Sequence, residues 1–93
     1  MIKLTLNAVG KVSHAFAVRD SSGSGLLPFQ LAVDPSTSVT CRINGRVSPE
    51  APWVELKYAV ADFVEAVSWV PYIQLEVVSI SGTGAVTLWI GEA

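Results

Sequence analysis

Apolar and polar side chains alternate with a period of two along most of this 93-residue chain. That is the repeat of an extended strand, whose successive side chains point to opposite faces. The clearest stretch runs from Pro71 to Glu92. Ile73, Leu75 and Val77 share one face of a first run, Val86, Leu88 and Ile90 share one face of a second, and Ser81-Gly-Thr-Gly84 separates them. Two alternating runs joined by such a turn signal predict a β-hairpin. Its wet side carries Gln74, Glu76 and Thr87. Its dry side needs a second layer, so the rest of the chain is expected to supply a facing sheet.

The same repeat recurs upstream. Ile2, Leu4 and Leu6 form a first run, and Val12, His14, Phe16 and Val18 mark one face of a second, with Val9-Gly10 placed to join the two as a hairpin. Asp20 to Gly25 has no apolar residue and reads as a loop. Leu27, Phe29, Leu31 and Val33 restart the pattern. Pro28 lies on the opposite phase and favours a sheet edge or a strand start, because proline donates nothing to a ladder. After a turn at Asp34-Pro-Ser-Thr37 come Val39, Cys41 and Ile43, then Asn44-Gly45, a tight-turn or bulge signal. Ser48 to Pro52 is a stiff connector. Val54, Leu56, Tyr58 and Val60 then alternate with Trp53, Glu55 and Lys57. Asp62 to Trp69 fits a strand, or a helix through Val60, Phe63, Val64 and Val67; its β-branched residues and Pro71 favour the strand. The result is about eight strands in one domain spanning residues 1–93. The fold class expected is all-β, an antiparallel two-sheet β-sandwich of jelly-roll type.

Composition sharpens this picture. The chain is 51% hydrophobic and only 15% charged, against about 25% charged in ordinary soluble domains, so some apolar surface is expected to meet partners or copies of the chain. Residues 1–46 hold Lys3, Lys11, Arg19, Arg42 and Arg46 against Asp20 and Asp34, net +3. Residues 47–93 hold Lys57 against six acids, net −5. The two halves either interleave and cancel, or stay apart and make a two-sided molecule suited to head-to-tail association. The start of the chain is strand-like, without the layout of a signal peptide, and no apolar run approaches the length of a membrane helix, so folding in a cytoplasm is expected.

Chemistry is sparsely encoded. Cys41 is the only cysteine and shares its phase with Val39 and Ile43, which reads as a buried core thiol. His14, the only histidine, reads as core-facing or at an edge, and one imidazole does not make a zinc site. No nucleophile elbow or phosphate-cradling loop is present. Glu65 with Glu76, or Glu55 with Asp62, would pair as carboxylates only by chance. Neither an enzyme nor a cofactor is expected. Lys3, Arg42 and Arg46 lack interleaved exposed aromatics, so nucleic acid is not expected either. Trp53 and Trp89 fall on the phase opposite to their apolar neighbours. Such indoles are covered by loops or by a second copy, anchor a protein interface, or stack on a sugar.

The run Trp69-Val-Pro-Tyr-Ile-Gln-Leu-Glu-Val-Val-Ser-Ile-Ser-Gly-Thr-Gly-Ala-Val-Thr-Leu-Trp-Ile-Gly91 resembles the last hairpin of small β-sandwich virion proteins of tailed bacteriophages. The resemblance implies a structural protein of the virion, folded in the host cytoplasm, which self-associates and decorates or cements a capsid or tail. Its partners would be copies of itself and a major capsid or tail protein, with no membrane involved. Trp53, Trp89 and Tyr72 are the expected interface anchors, and Lys3, Arg42 and Arg46 the expected partners of acids such as Glu55 and Glu76 on a neighbour. The alternative is a non-catalytic carbohydrate-binding module, with Trp53 or Trp89 exposed on a concave surface beside Gln74, Glu76 or Glu55.

Overall fold

The computed structural model describes residues 2–16 and 26–91. The loop expected at Asp20 to Gly25, the end of the second run from Ala17 and Glu92 lie outside these residues. Eight strands follow in chain order: β1 Ile2–Leu6, β2 Gly10–Ala15, β3 Leu26–Val33, β4 Ser38–Arg46, β5 Val54–Ala59, β6 Phe63–Ser68, β7 Tyr72–Ser81 and β8 Val86–Ile90. They form two four-stranded sheets, β1-β8-β3-β6 and β2-β7-β4-β5, antiparallel throughout.

The pairing has a simple logic. β1 pairs with β8, β2 with β7, β3 with β6 and β4 with β5. The chain is thus one long antiparallel hairpin with its tip at residues 47–53, rolled up so that β3 also meets β8 and β4 also meets β7. This is the jelly-roll arrangement of a β-sandwich, and it confirms the all-β, two-sheet expectation. Asp62 to Trp69 contributes β6, so the strand reading of that segment holds.

Two expected hairpins are overturned. Residues 71–92 are not a local hairpin, since β7 and β8 belong to different sheets, and Val9-Gly10 likewise carries the chain from the first sheet to the second. Burial supplies the reason. A hairpin of β7 and β8 would set Ile73, Leu75, Val77, Val86, Leu88 and Ile90 side by side and still need a cover. In opposite layers the two triplets cover each other, and all six are almost fully buried. Leu4, Leu27, Phe29 and Leu31 complete the first sheet's inner face, and Val39, Cys41 and Ile43 the second's.

The crossing is held at one end by paired turns. Asp34 Oδ1 accepts the Ser36 backbone N–H at 2.9 Å and its hydroxyl at 2.6 Å, a side-chain-closed turn. Thr37 Oγ1 accepts the N–H of Gly84 at 2.8 Å, which docks the β7–β8 connection onto the β3–β4 turn.

Local corrections follow from the same geometry. Of the two readings of Asn44-Gly45 the bulge holds and the tight turn does not: both residues lie in β4, with a bulge in its pairing to β5 between Ile43 and Asn44. The bulge turns Leu56 and Lys57 both inward and puts Tyr58 beside Arg42 on the outside, so the alternation expected for residues 54–60 is broken. Pro28 lies in an inner strand rather than at an edge, though near its start. Its carbonyl accepts Gly91 N–H just past the end of β8, so its missing donor points to the same strand end, away from β6. The two oppositely charged halves of the chain alternate strand by strand in both sheets; they interleave rather than forming two charged ends.

Candidate functional site

Six of the eight expected interface residues converge on the outer face of the second sheet. Burial of Ile43 and Leu75 turns their chain neighbours outward. Register then lines these up in rows: Lys11, Glu76 and Arg42; Ser13, Gln74, Asn44 and Glu55; Ala15, Tyr72 and Arg46. Arg42 Nε lies 3.2 Å from Glu55 Oε1 and its Nη1 lies 3.9 Å from Glu76 Oε1. The first is an ion-pair distance without hydrogen-bond alignment, since Nε has no hydrogen-bond partner. Of the cations expected to meet acids across an interface, Arg42 therefore already meets Glu55 and Glu76 within one chain.

Beside them, Asn44 Nδ2 donates to Gln74 Oε1 at 2.9 Å and to Glu76 Oε1 at 3.1 Å. Both amides are more than nine-tenths buried, at 6% and 7% exposure, so Gln74 is not the solvated residue that its phase suggests. Arg46 holds the margin. Its Cζ lies 4.2 Å from the Trp53 ring centroid and 5.5 Å from that of Tyr72, and its Nη1 donates to the Pro49 carbonyl at 3.1 Å. Lys11, Arg42, Asn44, Trp53, Glu55, Gln74 and Glu76 enclose an open depression of about 410 Å³.

Lys3 and Trp89 lie on the opposite side of the molecule. Register runs Lys3, Trp89, Gln30 and Val64 in one row across the first sheet's outer face, with Lys3 Nζ 5.1 Å from the Trp89 ring centroid. Pro28 and Ala66 are opposed beside this row, and Thr5, Thr87 and Ala32 form the next. Val64 is 72% and Trp89 38% exposed. Lys3 is the one charged side chain that β1, β8, β3 and β6 turn outward on this face.

The remaining polar candidates have structural partners. Cys41 is fully buried, its Sγ 3.5 Å from the Ala59 carbonyl, and burial pushes its pKa up to about 11. His14 stands on the edge strand β2 and meets Phe16 edge to face at 4.8 Å. Glu65 takes Lys57 Nζ at 2.7 Å, a bridge between edge strands of the two sheets. Asp62 Oδ1 accepts the Val33 N–H at 2.8 Å. The suggested carboxylate pairs thus have separate duties. Among the described residues no cluster of three metal-ligating side chains occurs, and no helix is long and apolar enough to cross a membrane.

Sequence reasoning read Asn44 only as part of a turn or bulge signal, and it named Gln74 beside a tryptophan in the carbohydrate alternative but placed it on the wet side of the sheet rather than buried. It also missed Val64, whose outward phase is readable once β6 is taken as a strand. No protein-family model, curated protein or solved structure matches the chain.

Proposed function

We propose that this chain is a structural virion protein of the tailed-bacteriophage decoration or tail-accessory kind, which self-associates and lies over a larger capsid or tail assembly. One observation carries the reading: a whole sheet face, set with Trp89, Val64, Pro28 and Ala66, exposes a single charged side chain, Lys3. The jelly-roll architecture supports it.

Magnitudes define the kind of association. Four strands about 4.8 Å apart and five to eight residues long present roughly 400 Å². A stable pairwise interface covers about 800 Å² per partner. The face alone therefore makes a weak contact, and copies arrayed on a shell add such contacts into firm attachment.

Light scattering over a concentration series, with acrylamide quenching of tryptophan, tests the proposal. Self-association is expected only at high protein concentration, with Trp89 protected as it occurs. It is expected to survive about 1 M salt, because little charge is involved, and to be lost in Trp89→Glu and Val64→Glu. A chain that stays monomeric at every concentration, or oligomers indifferent to both substitutions, would sink the reading.

A further inference from the structure

We propose that the depression on the outer face of β2-β7-β4-β5 is a binding site for a neutral polyhydroxylated ligand, an oligosaccharide of uncharged sugars. The proposal stands independently of the assembly surface, which lies on the opposite sheet.

Charge selects the ligand class. The depression is lined by two cations, Lys11 and Arg42, and two anions, Glu55 and Glu76, so its net charge is zero. Arg42 already lies within ion-pair distance of both acids. A phosphate or a nucleic-acid backbone would gain only Lys11 without breaking these contacts, and would meet the Glu55 and Glu76 carboxylates in the same depression. A sugar hydroxyl would not, because it donates to a spare carboxylate lone pair and accepts from a spare guanidinium or ammonium N–H without disturbing the balance.

The amide pair gives a second, independent pointer. Asn44 and Gln74 use one end of each side chain on one another, Nδ2 to Oε1. The other ends, Asn44 Oδ1 and Gln74 Nε2, make no hydrogen bond among the described residues, yet neither is sealed from solvent as Arg42 Nε and Arg46 Nε are. Both residues are over nine-tenths buried and line the depression. Two buried amides that line the depression thus keep one acceptor and one donor unused, a combination that a hydroxyl answers as donor and acceptor.

Trp53 supplies the apolar wall. Its indole lines the depression and is pinned by the Arg46 guanidinium, so a ligand need not order it on binding. Sugar rings carry C–H faces that pack on such a surface, while their hydroxyls point to the rim. The volume, about 410 Å³, falls in the ~300–1,000 Å³ span of small-ligand sites. Because the depression is open, affinity should be modest.

Two-dimensional ¹H–¹⁵N spectra of the whole chain test the site, titrated with neutral hexasaccharides of β-1,4-glucose, α-1,4-glucose, β-1,4-mannose and β-1,4-N-acetylglucosamine, with inositol hexakisphosphate as the charged comparison. The expected result is that at least one sugar shifts the Trp53 indole and the Asn44 and Gln74 side-chain amides, with a Kd of about 0.1–1 mM that salt does not weaken. Glu55→Ala, at an exposed position, and Trp53→Ala should each weaken binding about tenfold or more, while Trp89→Glu should leave it unchanged and so separates this site from the assembly face. No shift with any sugar at about 10 mM, binding of the polyphosphate alone, or binding untouched by both site substitutions would overturn it.

Discussion

Gly82 passes the chain from β7 toward β8 with φ of 106°, and a Cβ built there would strike the Ser36 carbonyl and the Thr37 backbone. Side chains rarely adopt that conformation, and the obstacle is backbone that cannot swing aside. Gly82→Ala is expected to lower stability by about 1–3 kcal/mol, read as a shifted urea midpoint with unchanged slope. The turn it touches is also sensitive to pH. Hydrogen bonds from the Ser36 hydroxyl and N–H hold the Asp34 carboxyl below its ordinary 3.8. A carboxyl depressed in the folded state contributes stability that is complete above its unfolded pKa and lost as pH falls through the folded one. Urea midpoints between about pH 2 and 5 should therefore fall more steeply with acid in the native chain than in Asp34→Asn. Cys41 shows the opposite influence, desolvation, which raises its pKa to about 11. At pH 8 only about one such thiol in a thousand is ionised, so Ellman's reagent should label it only as fast as the protein unfolds.

At the level of elements, the β4–β5 connection is held by Arg46, which stacks near both Trp53 and Tyr72 and caps Pro49. Replacing it with alanine removes a planar cation from two rings, and a loss of about 1–2 kcal/mol is expected, together with a shift in tryptophan emission. Lysine, lacking the flat guanidinium, should restore little of either. This cluster also marks the limit of legibility. A period of two states which side of a sheet a residue takes, so the buried triplets of β7 and β8 and the outward phase of Trp53, Arg42 and Glu55 could be read directly. It says nothing of which strand lies alongside. Ser81-Gly-Thr-Gly84 suits a crossing between sheets as well as a hairpin, and the long-range partners that favour the crossing, the facing triplets of β7 and β8 and the docking of Gly84 on Thr37, 47 residues away, are not written in the local pattern. The bulge at Ile43/Asn44 left only Asn44-Gly45 as its trace, so the inward turn of both Leu56 and Lys57 was hidden. The burial of Gln74 and Asn44 was hidden for a related reason: their phase is outward, and only register reveals that they lie opposite each other in one row and bond to one another.

The whole molecule is closed by its two ends. Ile2 opposes Ile90 and Leu6 opposes Val86, while the one connection between chain-adjacent strands of a single sheet is the β4–β5 tip. Beyond that tip every pairing is non-local, from 26 residues between Arg46 and Tyr72 to 88 between Ile2 and Ile90, and the entropy of closing those loops is spent before the paired core rewards it. No disulfide offsets the cost, because Cys41 is the only cysteine. Folding is therefore expected on the millisecond-to-second scale typical of non-local β-sandwiches, about a thousandfold or more slower than a helical domain of this length. Stopped-flow fluorescence can follow it through Trp53, Trp69 and Trp89. β8 is the strand on which this most depends, being the partner of both β1 and β3. Val86→Ala and Leu88→Ala should each cost about 2–5 kcal/mol. A roll that grows from its local β4–β5 tip would dock β8 last, and on that order most of the loss is expected as faster unfolding rather than slower folding. Microsecond folding, or a Leu88→Ala penalty taken chiefly in the folding rate, would show that the ends pair before the tip.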